Sequence, residues 1–230
     1  TSLFDCHRIT AVTNRFSASI VRICAIIAIL AFALRTFSDN KADVDLWGNT
    51  GFVQALPWTT DFHYTNTFSF TEPDHPWINH EWLAEYIFYR VFHVAGNPGL
   101  LILKLLLGFS VLAIMHKAMR FRCPSGMARF LFLLLILSTM GYGYSTRPHH
   151  FTYLLCAFFL FALTHYPARR TVTMILLPLL GMIWANLHGA FFIGAILLAI
   201  HAFDRLNAQT SDQTGPQRAL NAFAPLILFM

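Results

Sequence analysis

Apolar residues in this chain fall in long runs separated by short polar breaks. The runs are Ile23 to Leu34, Leu100 to Met115, Phe130 to Met140, Phe151 to Leu163, Val172 to Trp184 and Ala190 to Ile200. With their flanks they approach the roughly 20 residues that cross a bilayer as a helix. They predict six spans at about 19–35, 99–117, 127–145, 150–166, 171–187 and 189–204, and the start of a seventh from 219 onward. The expected fold is all-α: a polytopic transmembrane helix bundle, one domain over residues 1–230, with an outer loop over 36–98. The last apolar run, Ala222 to Met230, is still open at its end, so the chain is expected to continue beyond 230. Arg22 precedes the first run and Arg35 follows it, with no small-residue cleavage site, so this run reads as a retained anchor.

Composition agrees with the pattern. Apolar residues make up 56% of the chain and charged residues only 12%, against roughly 25% charged in a soluble domain. Membrane lipids are therefore expected neighbours, and nucleic acid is not an expected partner. The four cysteines, Cys6, Cys24, Cys123 and Cys156, form no paired motif and read as isolated apolar thiols.

Charge then orients the bundle. Arg8, Arg15 and Arg22 precede the first span, which places the N-terminus in the cytoplasm by the positive-inside rule. Further basic groups are Lys117 to Arg129, the pair Arg169 and Arg170, and Arg205 with Arg218 around the polar connector 206–218. All fall inside only if the segment from Trp77 to Ala95 lies on the outer surface rather than across the membrane. That segment carries Glu81, Glu85, Arg90 and His93, and a charge at the bilayer centre costs on the order of 3 kcal/mol. An interfacial helix would keep these groups wet while burying Trp82, Leu83, Tyr86, Ile87 and Val91. On this reading Glu85 and Arg90 form a solvated face. Pro76 and Asn79 mark the helix start, and Gly96-Asn97-Pro98-Gly99 breaks the chain before the next span.

Eight of the eleven acidic residues lie between Asp39 and Glu85, all in or near this outer loop. The same topology brings other polar motifs to the outer face: Asp43-Val44-Asp45-Leu46-Trp47, Asn79-His80-Glu81-Trp82, Arg147-Pro148-His149-His150 and Trp184-Ala185-Asn186-Leu187-His188-Gly189. Paired carboxylates can act as a general base or bind a metal. Imidazoles can transfer protons or bind a divalent ion, and a guanidinium is a forked donor suited to phosphate. Nothing near Arg147 in the sequence neutralises it, which a phosphate partner would explain. Trp47, Trp77, Trp82 and Trp184 read as interface anchors or as platforms for a sugar, and Gly189 and Gly194 as close-packing positions between helices. Lys104, inside a span, either snorkels, pairs with a carboxylate or meets a lipid phosphate.

Together these motifs, with Thr-x-x-Phe-Ser-Phe-Thr at 65–71 and Pro-Trp-Ile-Asn-His-Glu-Trp-Leu-Ala-Glu at 76–85, resemble bacterial GT-C-type membrane glycosyltransferases. These include the protein O-mannosyltransferases and the aminoarabinose transferases of lipid A. The resemblance covers about residues 20 to 205. It implies a polyprenyl-phosphate sugar donor, an active site on the outer face and two surface helices in the first outer loop. The expected protein is a multi-pass glycosyltransferase of the bacterial inner membrane, moving a sugar from that donor to an acceptor. Asp45 or Asp43 would be the catalytic base or a metal ligand. Arg147, His149, His188 and Asn186 would bind the donor, and Asp45, Glu81 and His80 would hold any divalent metal ion. The alternative is a non-catalytic subunit of the same fold, a scaffold for other membrane subunits. A transporter fits less well, because the carboxylates lie in a loop rather than in mid-span.

Overall fold

The computed structural model describes residues 2–39, 43–55, 70–72, 75–141, 144–166, 169, 171–208 and 215–230. The 65–69 part of the Thr-x-x-Phe motif, Lys41, Asp61, Asp74, Arg170 and the middle of the 206–218 connector lie outside the described residues. What is described is almost wholly helical. The helices are α1 (Ser2–Phe37), α2 (Val44–Ala55), α3 (Trp82–Arg122), α4 (Gly126–Gly141), α5 (His149–His165), α6 (Leu177–Leu187), α7 (Phe192–Ala208) and α8 (Gly215–Phe229). A π-helical turn, Val172–Leu176, leads into α6, and a 3₁₀ turn, Gly189–Phe191, leads into α7. Three stretches are long and apolar enough to cross a membrane: Ser19–Phe37, Trp82–Arg122 and Gly189–Asn207. Shorter apolar helices cover Gly126–Gly141, Val172–Leu187 and Ala219–Phe229.

The helix α3 is two helices joined at a kink. Gly96 takes φ 59° and ψ −154°, a region essentially reserved for glycine. Pro98 follows, which lacks an N–H and disfavours helical geometry at Asn97. At Gly99 an added Cβ would stand 2.6 Å from Ala95 Cβ and 3.0 Å from the Val91 carbonyl, so the chain doubles back tightly there. The break expected at 96–99 is thus present. The helix before it begins at Trp82 rather than Trp77. With α2, it puts two helices within the 36–98 segment.

The interior has two main clusters that meet along α3 and α5. One gathers Leu46, Phe88, Leu107, Phe151, Phe159, Trp184, Leu198 and Phe229, joining α2, α3, α5, α6, α7 and α8. The other gathers Ala33, Phe37, Val111, Leu137, Met140, Tyr144 and Ala157, joining α1, α3, α4 and α5. Phe52 and Val53 of α2 pack against Trp82, Tyr86 and Tyr89, which seats α2 on the first half of α3. Apolar side chains also face outward, including Ile23, Ile26, Ile27 and Leu30 on α1, Leu131 and Leu135 on α4, and Ile196, Ile200 and Phe203 on α7. Water would penalise such a surface and lipid would not.

Contacts between helix ends sort the charges. Lys117 lies over the Phe161 ring and Arg169 over Tyr166, and Arg129 Nη1 donates to the Cys123 carbonyl at 2.5 Å. These basic groups share the bundle end where α3 stops, α4 starts and α5 stops. The motifs holding Asp43, Glu81, Arg147 and His188 meet at the opposite end. Lys104 belongs to that second end. It is 3% exposed. Its Nζ donates to the backbone carbonyls of Asp39, just past α1, and of Tyr144, at 2.8 Å, just past α4. A cation at two helix C-termini is favoured by the helix dipoles and ties α1, α3 and α4 together.

Candidate functional site

The polar end is organised by the start of α5, where Arg147 lies in the turn just before the helix and His149 and Thr152 lie in its first turn. Two groups of side chains attach to it.

The first group is built on Arg147. Its Nε donates to Asp43 Oδ2 at 2.5 Å, and its Nη2 lies 3.5 Å from Asp45 Oδ2. Ser145 Oγ donates to the same Asp43 oxygen at 2.8 Å. Asp43 Oδ1 accepts the Asp45 backbone N–H at 3.1 Å, the arrangement of an N-cap on α2. Its side chain is only 9% exposed, whereas that of Asp45 is 63% exposed. The Arg147 guanidinium, helped by the Asp45 N–H and Ser145, holds the Asp43 carboxyl down at about 2. So the unneutralised arginine expected at 147 is a correction: its partners are two carboxylates about a hundred residues upstream, beyond the reach of any local reading of the sequence.

The second group is built on Glu81. Asn79 Oδ1 accepts the Glu81 backbone N–H at 3.0 Å, which fixes the turn before α3. Glu81 Oε1 then faces two imidazoles, 3.6 Å from His188 Nε2 and 3.8 Å from His80 Nε2. Gly189 leaves room for the His80 ring, since a Cβ there would stand 3.2 Å from His80 Nε2. Its role is therefore to admit His80 rather than a neighbouring helix. Behind His188 runs a chain of hydrogen bonds. Trp184 Nε1 donates to Thr152 Oγ1 at 2.8 Å, Thr152 Oγ1 meets His188 Nδ1 at 2.9 Å, and the Ala190 N–H reaches the same nitrogen at 3.3 Å. Burial lowers the proton affinity of His188, while Glu81 raises it.

His149 links the groups. Burial pushes its imidazole down to about 4, and His188 and Arg147 push in the same direction while Asp43 opposes them. It stacks on His150, with ring centroids 4.5 Å apart. His150 Nδ1 in turn lies 2.7 Å from the Arg147 carbonyl.

Two further residues depart from expectation, and a third is engaged within the protein. Glu85 is not on a solvated face. It is 6% exposed and receives a hydrogen bond from Asn79 Nδ2 at 2.5 Å. Burial, with repulsion from Glu81, pushes its carboxyl up to about 7. Trp184 is no interface anchor, being fully buried against Phe159. Asn186 uses both ends of its amide within the protein, accepting from Trp82 Nε1 at 2.7 Å and donating to the Met182 carbonyl at 2.7 Å. The sequence does not single out Thr152 or Ser145, and it marks Asn79 only as a helix start within the outer-face motif. Their only sequence signal is a hydroxyl or amide beside a charged motif.

Of the metal set Asp45, Glu81 and His80, the structure joins His80 to Glu81, while Asp45 faces Arg147. Among the described residues, no three His, Cys, Asp or Glu side chains are grouped to hold a metal ion. Comparison of the chain with protein-family models, with curated proteins and with solved structures gives no match. The functional reading therefore rests on this geometry and on the motifs.

Proposed function

We propose that the chain is a GT-C-type polytopic glycosyltransferase of the bacterial inner membrane, with its N-terminus in the cytoplasm. It moves a sugar from a polyprenyl-phosphate donor to an acceptor at the outer face. The observation that carries this reading is the gathering of Asp43, Asp45, Glu81, Arg147, His149 and His188 at one end of an apolar bundle, around one helix start. A donor whose lipid tail lies along the apolar flank would bring its phosphate to this end. Arg147 is 43% exposed and Asp45 is its looser partner, so a phosphate that displaces Asp45 meets a guanidinium already oriented by Asp43. Asp43 and Asp45 then serve chiefly to place Arg147.

One observation favours a second reading, a non-catalytic scaffold for other membrane subunits. The Arg147 cluster is already satisfied within the chain and fastens α2 to α5 without a ligand. Purified protein in lipid nanodiscs, offered a panel of polyprenyl-phosphate hexoses and pentoses, separates the two. Sugar transfer, or donor binding that Arg147→Ala abolishes, supports the enzyme. Absence of both removes the enzyme reading and leaves the scaffold.

A further inference from the structure

We infer that Glu81 is the general base of this site, and that His188, locked by Thr152 and Trp184, is the residue that positions it. The inference rests on the glycosyltransferase reading and names which carboxylate takes the acceptor's proton.

A general base needs free basicity, access to substrate and a fixed position. Asp43 fails on the first two counts. Its side chain is 9% exposed, tied to Arg147 and Ser145, and so acidic that it holds a proton poorly. Asp45 fails on the third. It is 63% exposed, and its pairing with Arg147 is the long one at 3.5 Å. Glu85 is buried behind Asn79. Glu81 combines the access and the fixed position. It faces imidazoles rather than an arginine, its side chain is 27% exposed, and its backbone is pinned by Asn79.

The hydrogen bonds behind His188 fix its tautomer. The Trp184 indole can only donate, so it occupies a lone pair of the Thr152 oxygen. The Ala190 N–H also can only donate, and it points at His188 Nδ1. Nδ1 is therefore an acceptor, and the Thr152 hydroxyl proton is free to turn to it as well. A neutral His188 then carries its proton on Nε2, the atom that faces Glu81 Oε1 at 3.6 Å. This ring orients the carboxylate without protonating it. The chain Trp184–Thr152–His188–Glu81 runs from the bundle core to the polar end and stops at the carboxylate.

The step balances simply. Glu81 takes the proton of the acceptor O–H, and the acceptor oxygen forms a bond to the anomeric carbon. The bond from that carbon to the phosphate oxygen breaks, and its electron pair leaves with the polyprenyl phosphate beside Arg147. His149, the first residue of α5, feels the charge of both His188 and Arg147.

The test uses the whole protein in nanodiscs. Glu81→Gln should cut transfer by roughly 10²–10⁴-fold while binding of sugar-free polyprenyl phosphate stays unchanged. Formate should restore part of the activity of Glu81→Gly. His188→Gln, which keeps an N–H near the Nε2 position, should retain more kcat than His188→Leu, with KM for the donor alike in both. Histidine ¹⁵N spectra should show His188 neutral with its proton on Nε2. An active wild type with Glu81→Gln within fivefold of it overturns the base and leaves the glycosyltransferase reading standing. A proton on Nδ1 overturns the positioning role. A wild type that neither transfers sugar nor binds polyprenyl phosphate overturns the broader reading, and the catalytic role of Glu81 with it.

Discussion

Two carboxylate groups share one end of this bundle and are built on opposite principles. The Asp43–Asp45–Arg147 group is closed: its charges answer one another, and its innermost acid is nearly buried. The Glu81–His80–His188 group is open. Its carboxylate faces two imidazoles, and a second, buried carboxyl group, Glu85, lies four residues on. The difference teaches that acidic residues with similar sequence settings acquire closed or open surroundings from what lies opposite them in space.

The largest expected effect concerns the cost of the open group. Burial raises the Glu85 carboxyl from its usual value to about 7. The native state therefore binds a proton there that the unfolded chain releases at about 4.5. Stability from this residue is full below about pH 4.5, falls as pH rises through about 7, and is flat beyond. The loss amounts to on the order of 3 kcal/mol. Glu85→Gln keeps an acceptor for Asn79 Nδ2 and cannot ionise. It should match wild type near pH 4.5 and melt at a higher temperature at pH 8. Parallel melting curves at both pH values would show that Glu85 is not buried, and would erase the contrast between the groups.

Next in size is the coupling inside the closed group. A double-mutant cycle of Asp43→Asn and Arg147→Met should give about 1 kcal/mol of interaction at pH 7, since the pair is charge-assisted but the guanidinium is 43% exposed and screened by solvent. Arg147 holds the folded-state Asp43 below its ordinary value, so this stabilisation is present above about pH 4. It is lost as pH falls through about 2. A coupling under about 0.5 kcal/mol at pH 7 would show the ion pair to be a surface contact.

The sequence carried the frame of this structure and little of its pairing. Expected spans at 99–117, 150–166 and 189–204 correspond to the second half of α3, to α5 and to α7. The break at 96–99 was legible because Gly96 and Pro98 forbid a continuous helix locally. Periodicity and turn chemistry act over a few residues, and they are written in the sequence. The partners of Arg147 lie 102 and 104 positions away, and nothing in either segment specifies the other. Glu85 looked like a wet residue because charge usually implies exposure, and only its bond from Asn79 reveals otherwise. For Lys104 the sequence leaves snorkelling, a carboxylate and a lipid phosphate open, and does not point to the two backbone carbonyls it meets past the ends of α1 and α4. The candidate residues were legible as a set. Their roles depend on contacts between helices, which no window along the chain contains.

The smallest effect sharpens the comparison most, because Asp45 stands between the groups in kind. It is exposed, and its oxygen is 3.5 Å from Arg147 Nη2. Exposed pairs of this sort contribute about 0–1 kcal/mol, and a carboxylate in the first turn of α2 adds a few tenths through the helix dipole. Asp45→Asn should therefore cost less than about 1 kcal/mol of stability at moderate salt. Its effect on ligand binding should have the opposite sign. With the competing carboxylate gone, Arg147 Nη2 is free, while Nε stays fixed by Asp43. Affinity for polyprenyl phosphate should rise by about threefold, a gain that shrinks as salt screens the site. Isothermal titration of wild type and Asp45→Asn at two salt concentrations measures both quantities. If binding instead weakens more than tenfold, Asp45 belongs to the reactive machinery, and the division between closed and open groups has to be redrawn with Asp45 on the open side.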